Sequence, residues 1–169
     1  MEDNGKIRVG ITHGDINGIG YEVILKSFSD PAMLDLCTPI VYGSPKVATY
    51  HRKAMDIQTS FTIINNADDA QDGKLNILSC TEDELKVELT KATPEAGKAA
   101  LDALERALKD YREGDIDVLV TAPINKHTIQ SDSFHFPGHT EYIEERVGDD
   151  NKALMILLKD DFRVALVTG

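Results

Sequence analysis

The chain has 169 residues, 41% of them hydrophobic and 28% charged, enough for one globular domain with a core of ordinary size. Eighteen basic against 29 acidic side chains leave a net charge of −11, which repels nucleic-acid phosphate and anionic lipid over most of the surface. No apolar run reaches the roughly 18 residues of a membrane span, Met1–Lys6 lacks the features of a signal peptide, and Cys37 and Cys80 are too few for a disulfide scaffold, so the composition reads as a reduced, cytoplasmic protein with neither membrane nor nucleic-acid partners.

In chain order, Ile7–Thr12 is short and β-branched and predicts a buried strand. It runs into a glycine-rich turn, His13–Gly20, after which Tyr21, Ile24, Leu25 and Phe28 recur at helical spacing until Ser29-Asp30-Pro31 breaks the helix. Thr38–Tyr42 predicts a second strand and Lys46–Met55 a helix; Phe61–Ile64 and Leu75–Leu78 predict strands on either side of an acidic loop. The strongest helix signal spans Pro94–Arg112, with Thr93 as N-cap, Pro94 at the first helical position, an apolar stripe through Ala100, Leu101, Leu104, Leu108 and Tyr111, and Gly114 as the stop. Ile116–Val120 returns as a strand, and Thr121–Gly138 forms a second loop rich in glycine, proline and histidine before Thr140–Arg146 resumes helical character. Alternating strands and helices predict an open α/β sheet. Ligands of such sheets bind beyond the carboxyl ends of the strands, where both distinctive loops fall.

Ala153–Leu158 and Phe162–Thr168 read as two apolar strands joined by the polar turn Lys159-Asp160-Asp161. Strands this apolar need cover on their faces and edges, so the expectation is a fragment of a longer protein, or a chain that depends on a partner.

Three constellations carry chemistry. Gly14-Asp15-Ile16-Asn17-Gly18-Ile19-Gly20, with Glu22 behind it, offers close backbone approach and a helix N-terminus to an anion. It lacks the spacing of the dinucleotide fingerprint, and its structural alternative is a tight turn in which Asp15 caps the helix. Thr121-Ala122-Pro123-Ile124-Asn125-Lys126 comes directly after a buried strand. Asn125 could hydrogen-bond a substrate, and Lys126 could neutralise an anion or, if buried, move a proton. The alternative is that Lys126 and His127 are solvated residues opening a helix. Phe136-Pro137-Gly138-His139-Thr140-Glu141 places an imidazole and a hydroxyl at a helix start; the alternative is a structural or solvated histidine. Among His13, His51, His127, His135 and His139, only the last two are four apart, and Pro137 and Gly138 between them prevent a helical metal pair. No nucleophile elbow and no paired cysteine motif is present.

Taken together, in order and spacing, the segments Gly14–Glu22, Thr121–Lys126 and Phe136–Glu141 resemble the 4-hydroxythreonine-4-phosphate dehydrogenases of vitamin B6 biosynthesis, over about Ile7 to Gly169. Where that family usually reads Gly-Asp-Pro-Ala-Gly-Ile-Gly-Pro-Glu, this chain carries Ile16, Asn17 and Tyr21, which is expected to loosen a proline-stiffened turn. The resemblance implies an isocitrate/isopropylmalate dehydrogenase-like fold of two α/β domains, here an N-terminal domain over residues 1–145 and the first strands of a second over 146–169. It also implies a homodimer. The implied reaction is oxidation of 4-phosphooxy-L-threonine with NAD and a divalent metal (Zn, Mg or Co), then decarboxylation to 3-amino-2-oxopropyl phosphate in pyridoxal phosphate biosynthesis. By the same likeness His139 and Thr140 contact the small phosphorylated substrate, and Asp15 and Lys126 border the cleft as catalytic candidates. In the family the segment resembling Val164–Gly169 is succeeded by the first of the histidines that hold the metal. The ligands are therefore expected outside this chain, which by itself is expected to be inactive. Two other readings stay open: an acyl- or phosphotransferase on a phosphorylated metabolite, built on a related α/β scaffold, and a non-catalytic anion-binding module.

Overall fold

β1, Ile7–Thr12, lies inside a five-stranded sheet of order β3-β4-β2-β1-β5, and every pairing is parallel. Its partners are β2 (Cys37–Gly43), which pairs in turn with β4 (Asn76–Ser79), and β5 (Val118–Thr121); β3 (Thr62–Ile64) closes the far edge. The computed structural model describes residues 5–81, 84–130 and 134–167. Every residue of β2 is buried, as expected of a parallel strand covered on both faces. Its side chains alternate in destination: Val41 packs with Ile11, Leu25 and Val47, whereas Ile40 and Tyr42 pack with Ala103, Ala107 and Ile116.

The helices that cover these faces are α1 (Gly20–Ser27), α3 (Pro45–Ala54) and α4 (Pro94–Glu113). Two of them start as the sequence predicts. Ser44 Oγ accepts the Val47 N–H at the head of α3, and Thr93 Oγ1 accepts the Ala96 N–H at the head of α4, each with proline in the first turn. Gly114 ends α4 in the left-handed conformation, φ 82°. Thr93→Ala is expected to lower stability by about 1 kcal/mol; urea unfolding midpoints would measure it, and an unchanged midpoint would mean the cap is idle.

Asp110, buried in the last turns of α4, accepts from Tyr42 Oη at 2.8 Å and from Arg106 Nε at 2.8 Å. Burial, reinforced by the Asp110 carboxylate, pushes the Tyr42 phenol up.

Two elements carry no signal in the sequence. Ala32–Leu36 forms a short helix, α2, directly after Pro31, and a single 3-10 turn occupies Ala67–Asp69 in the acidic loop. Both are too short to show a period. The expected opening of a helix at Lys126 is instead a single turn: the Thr128 and Ile129 N–H groups both donate to Asn125 O, and Asn125 Oδ1 accepts the His127 N–H. Residues 131–133 of this loop lie outside the described residues.

The chain divides into two compact units, Met1–His135 and Phe136–Gly169. α5 (His139–Val147) falls in the second unit. The physical reason is local. Glu144 on α5 accepts from Lys152 Nζ and from the Ala153 N–H, both at 2.7 Å, and its O accepts the Gly148 N–H, so α5 is tied to the segment on its C-terminal side. These donors hold the Glu144 carboxyl below its usual range. Beyond it, β6 (Met155–Lys159) and β7 (Phe162–Leu166) form the expected antiparallel pair, with Met155 opposite Leu166 and Lys159 opposite Phe162. Thr168, the last residue of the predicted strand, lies outside the described residues, as does Gly169. Ile156, Leu157, Leu158 and Phe162 are 47–70% exposed, an apolar ribbon bare on both faces.

Candidate functional site

In a parallel sheet the ligand crevice forms beside the strand at which the strand order reverses. Here that strand is β1, flanked by β2 on one side and β5 on the other. The loops leaving β1 and β5 are the two that composition nominates, and the structure joins them through main-chain atoms. The Ala122 N–H donates to Thr12 O at 3.1 Å, and the Asp15 N–H donates to Pro123 O at 2.9 Å. Gly14 adopts φ +72°, and a Cβ there would overlap Pro123 O. Glycine is therefore required twice over, for backbone conformation and for space. The structure thus brings together the loop of Asp15 and the loop of Lys126.

Asp15 is half-buried and does not cap α1. The N-cap of α1 is Ile19, without a side-chain hydrogen bond, and Asp15 Oδ1 instead accepts the Asn17 N–H at 2.9 Å. Its carboxylate fixes the turn rather than the helix. Lys126 is exposed, which removes the burial that its proton-transfer reading needs and leaves a cation able to meet an anion.

The three residues expected to loosen the glycine turn instead anchor it. Ile16, Asn17 and Tyr21 are each at most 3% exposed. Tyr21 donates its hydroxyl to Ser44 O at 3.1 Å and accepts the Ser44 N–H at 2.8 Å. Its ring lies between His13, at 5.3 Å between centroids, and His51, at 5.5 Å. Both imidazoles meet backbone carbonyls through Nε2: His13 reaches Ala99 O at 3.1 Å and His51 reaches Ile16 O at 2.8 Å. A carbonyl only accepts, so each Nε2 carries the proton. Burial drives the His13 pKa down from 6.5 to about 4, with the nearby His51 adding to the effect against the Ala99 bond. His13 Nδ1 and Thr12 Oγ1 are buried with no hydrogen-bond partner among the described residues. This stack beneath the turn is invisible in the sequence, because two histidines 38 positions apart show no local pattern.

His139 and Thr140 belong to the second unit. They are the first residues of α5, whose N-cap, Gly138, makes no side-chain hydrogen bond to the helix. The N-terminal end of a helix carries a partial positive charge that favours an anion. His139 is half-buried and Thr140 exposed.

Cys80 is half-buried, and desolvation pushes its thiol up to about 12, so it is no nucleophile. A separate cavity of about 330 Å³ lies between residues 84–88 and the start of α4, lined by Lys86, Glu88, Thr93, Lys98 and Ala99 among others. The group of possible metal-binding side chains found among the described residues is Asp110, Glu113 and Asp115. Asp110 is already committed to Arg106 and Tyr42, and no histidine takes part, so this group does not fit the histidine-held metal that the resemblance implies. Among the described residues no helix is long and apolar enough to cross a membrane.

Comparison with known proteins places these features. The family described as "Pyridoxal phosphate biosynthetic protein PdxA" matches residues 35–169. A 4-hydroxythreonine-4-phosphate dehydrogenase from Bacteroides thetaiotaomicron is 71% identical over 168 residues, covering 99% of this chain and 46% of that protein. Another from Sulfurihydrogenibium sp. is 30% identical over 162 residues, covering 96% of this chain and 49% of its own length. Among solved structures, a 4-hydroxythreonine-4-phosphate dehydrogenase from Burkholderia phymatum superposes with a TM-score of 0.82 at 28% identity, over 96% of this chain and 49% of that one. The chain thus spans about half the length of the relatives it matches.

Proposed function

This chain belongs to the PdxA family of pyridoxal phosphate biosynthetic proteins, and from that membership we propose that the full-length protein is a dehydrogenase. Its reaction is the NAD-dependent oxidation of 4-phosphooxy-L-threonine, with decarboxylation to 3-amino-2-oxopropyl phosphate, in a cytoplasmic homodimer. The observation that carries the reading is the main-chain clasp between the β1 and β5 exit loops at the point where the sheet reverses its order. That crevice is where an α/β sheet receives a small anionic ligand.

In this proposal His139 and Thr140 hold the substrate phosphate, using the imidazole, the hydroxyl and the positive end of the α5 dipole. Lys126 supplies a compensating charge in a chain whose net charge is −11. Asp15, held by the Asn17 N–H, borders the reacting end of the substrate. The reading also calls for a divalent metal. The described residues do not fit it, so its ligands are assigned to the remaining length of the parent protein and no step here runs through it. β6 and β7 would open a second domain that covers their apolar faces. By itself the 169-residue chain is expected to give no turnover with NAD, divalent metal and substrate.

NADH formation from 4-phosphooxy-L-threonine by the full-length protein tests the reading directly. His139→Ala is expected to lower kcat/KM by about a hundredfold, the scale of losing one well-aimed donor to an anionic group. Substrate turnover without NADH would indicate a transferase, and anion binding without turnover a binding module; either result overturns the proposal.

A further inference from the structure

We propose that the first two turns of α4 act as a brace that sets the spacing of both loops, with Gly97 and Asn17 as its positioning residues. The proposal rests on the reading of those loops as parts of a substrate site. Three contacts made by one short helical stretch carry it. At the helix cap, Thr93 Oγ1 receives Asn17 Nδ2 at 3.2 Å. One turn on, the bare Cα of Gly97 lies against the peptide of Thr128; a Cβ there would overlap Thr128 O and C and come 2.9 Å from Ile129 N. Two residues later, Ala99 O accepts from His13 Nε2. A helix fixes such points at 1.5 Å of rise per residue. From Thr93 to Ala99 the helix therefore holds the glycine turn at its front and its base, and the Lys126 loop between them.

Asn17 is the other half of the brace. Its Oδ1 accepts the Glu88 N–H at 2.7 Å, its Nδ2 also donates to Lys91 O at 3.0 Å, and its O accepts the Thr90 N–H at 3.1 Å. Thr90 sits at φ 69°, a conformation that β-branched residues avoid, and the bond to Asn17 helps hold it there. The same residue's own N–H orients the Asp15 carboxylate. A change at Asn17 therefore reaches Asp15, and a change at Gly97 reaches the Asn125–Ile129 turn that carries Lys126. Neither residue needs to touch substrate. Glycine inside an otherwise helix-favouring run, Ala96-Gly97-Lys98-Ala99-Ala100, is the trace this close approach leaves in the sequence.

The test compares Gly97→Ala, Asn17→Ala and, as a control on the same helix, Lys98→Ala, all in the full-length protein. Hydrogen exchange and steady-state kinetics with NAD, divalent metal and 4-phosphooxy-L-threonine are the two readouts. For Gly97→Ala the expected result is faster exchange at the Thr128 and Ile129 amides and a drop in kcat/KM of about a hundredfold, the scale of a small misplacement of reacting groups. Helical circular dichroism should be retained. For Asn17→Ala we expect faster exchange at the Glu88 and Thr90 amides and a drop of about tenfold, partly recovered in Asn17→Asp, which keeps the acceptor for Glu88. Lys98→Ala should resemble wild type. Native exchange and native kinetics in Gly97→Ala would overturn the brace. If that variant does not fold, native values in Asn17→Ala would overturn it equally. A wild-type protein that makes no NADH would sink the functional reading alone, because the exchange readout still decides whether the brace exists.

Discussion

Replacing Gly14 by alanine is expected to destabilise the protein by about 2–5 kcal/mol. Two effects add. Left-handed backbone, here φ +72°, costs an L-residue about 1–2 kcal/mol. The added Cβ also overlaps Pro123 O and lies 3.0 Å from Ala122 C, and forcing a methyl group into packed structure costs about 1–3 kcal/mol. Neither contact can yield by rotating a side chain, since both are backbone. Gly73→Ala separates the two effects. Gly73 has nearly the same φ, +70°, but nothing lies within 4 Å of its would-be Cβ, so only the conformational cost remains. Urea unfolding of both variants measures the difference. If Gly14→Ala proves no worse than Gly73→Ala, the β1 and β5 exit loops are not clasped as described.

The second large effect concerns pH. His13 binds its proton at about pH 4 in the folded protein and at 6.5 once unfolded. As pH falls below 6.5 the unfolded chain takes up a proton that the folded one refuses, so His13 stabilises the fold above 6.5 and this contribution is lost progressively toward pH 4. At about 1.36 kcal/mol for each unit of pKa, the loss approaches about 3 kcal/mol. Unfolding free energies measured across this window, in wild type and in His13→Asn, isolate it: the acid slope should be shallower in the variant. Equal slopes would mean that His13 is accessible to solvent protons in the folded state.

Much of this fold is legible in the sequence because its signals are local. The strand at Ile7–Thr12, the capped helix from Pro94 and the apolar pair around Lys159-Asp160-Asp161 each announce themselves within a dozen residues, and each forms. The two loops also announce themselves through glycine and proline. What the sequence hides is long-range. Asn17 bonds to residues more than 70 positions away, and Tyr21 is wedged between a histidine of the loop after β1 and one of α3. Reading residues 16, 17 and 21 against a proline-bearing turn suggests slackness, because the bonds that replace the proline come from elsewhere in the chain. Asp15 misleads for a related reason: an aspartate ahead of a helix has the composition of a cap, yet its carboxylate closes the turn two residues on.

The bonds that join the two exit loops directly run between peptide groups: Ala122 to Thr12 and Asp15 to Pro123. Peptide groups are the same whatever side chain hangs from them. Mutation can therefore rewrite most of the surrounding alphabet while the geometry is inherited unchanged, and drift in what this rim recognises needs no redesign of the frame. The exceptions are Gly14 and Gly97, where even one methyl group is too many, and Asn17, whose amide ties the turn to the segment ahead of α4.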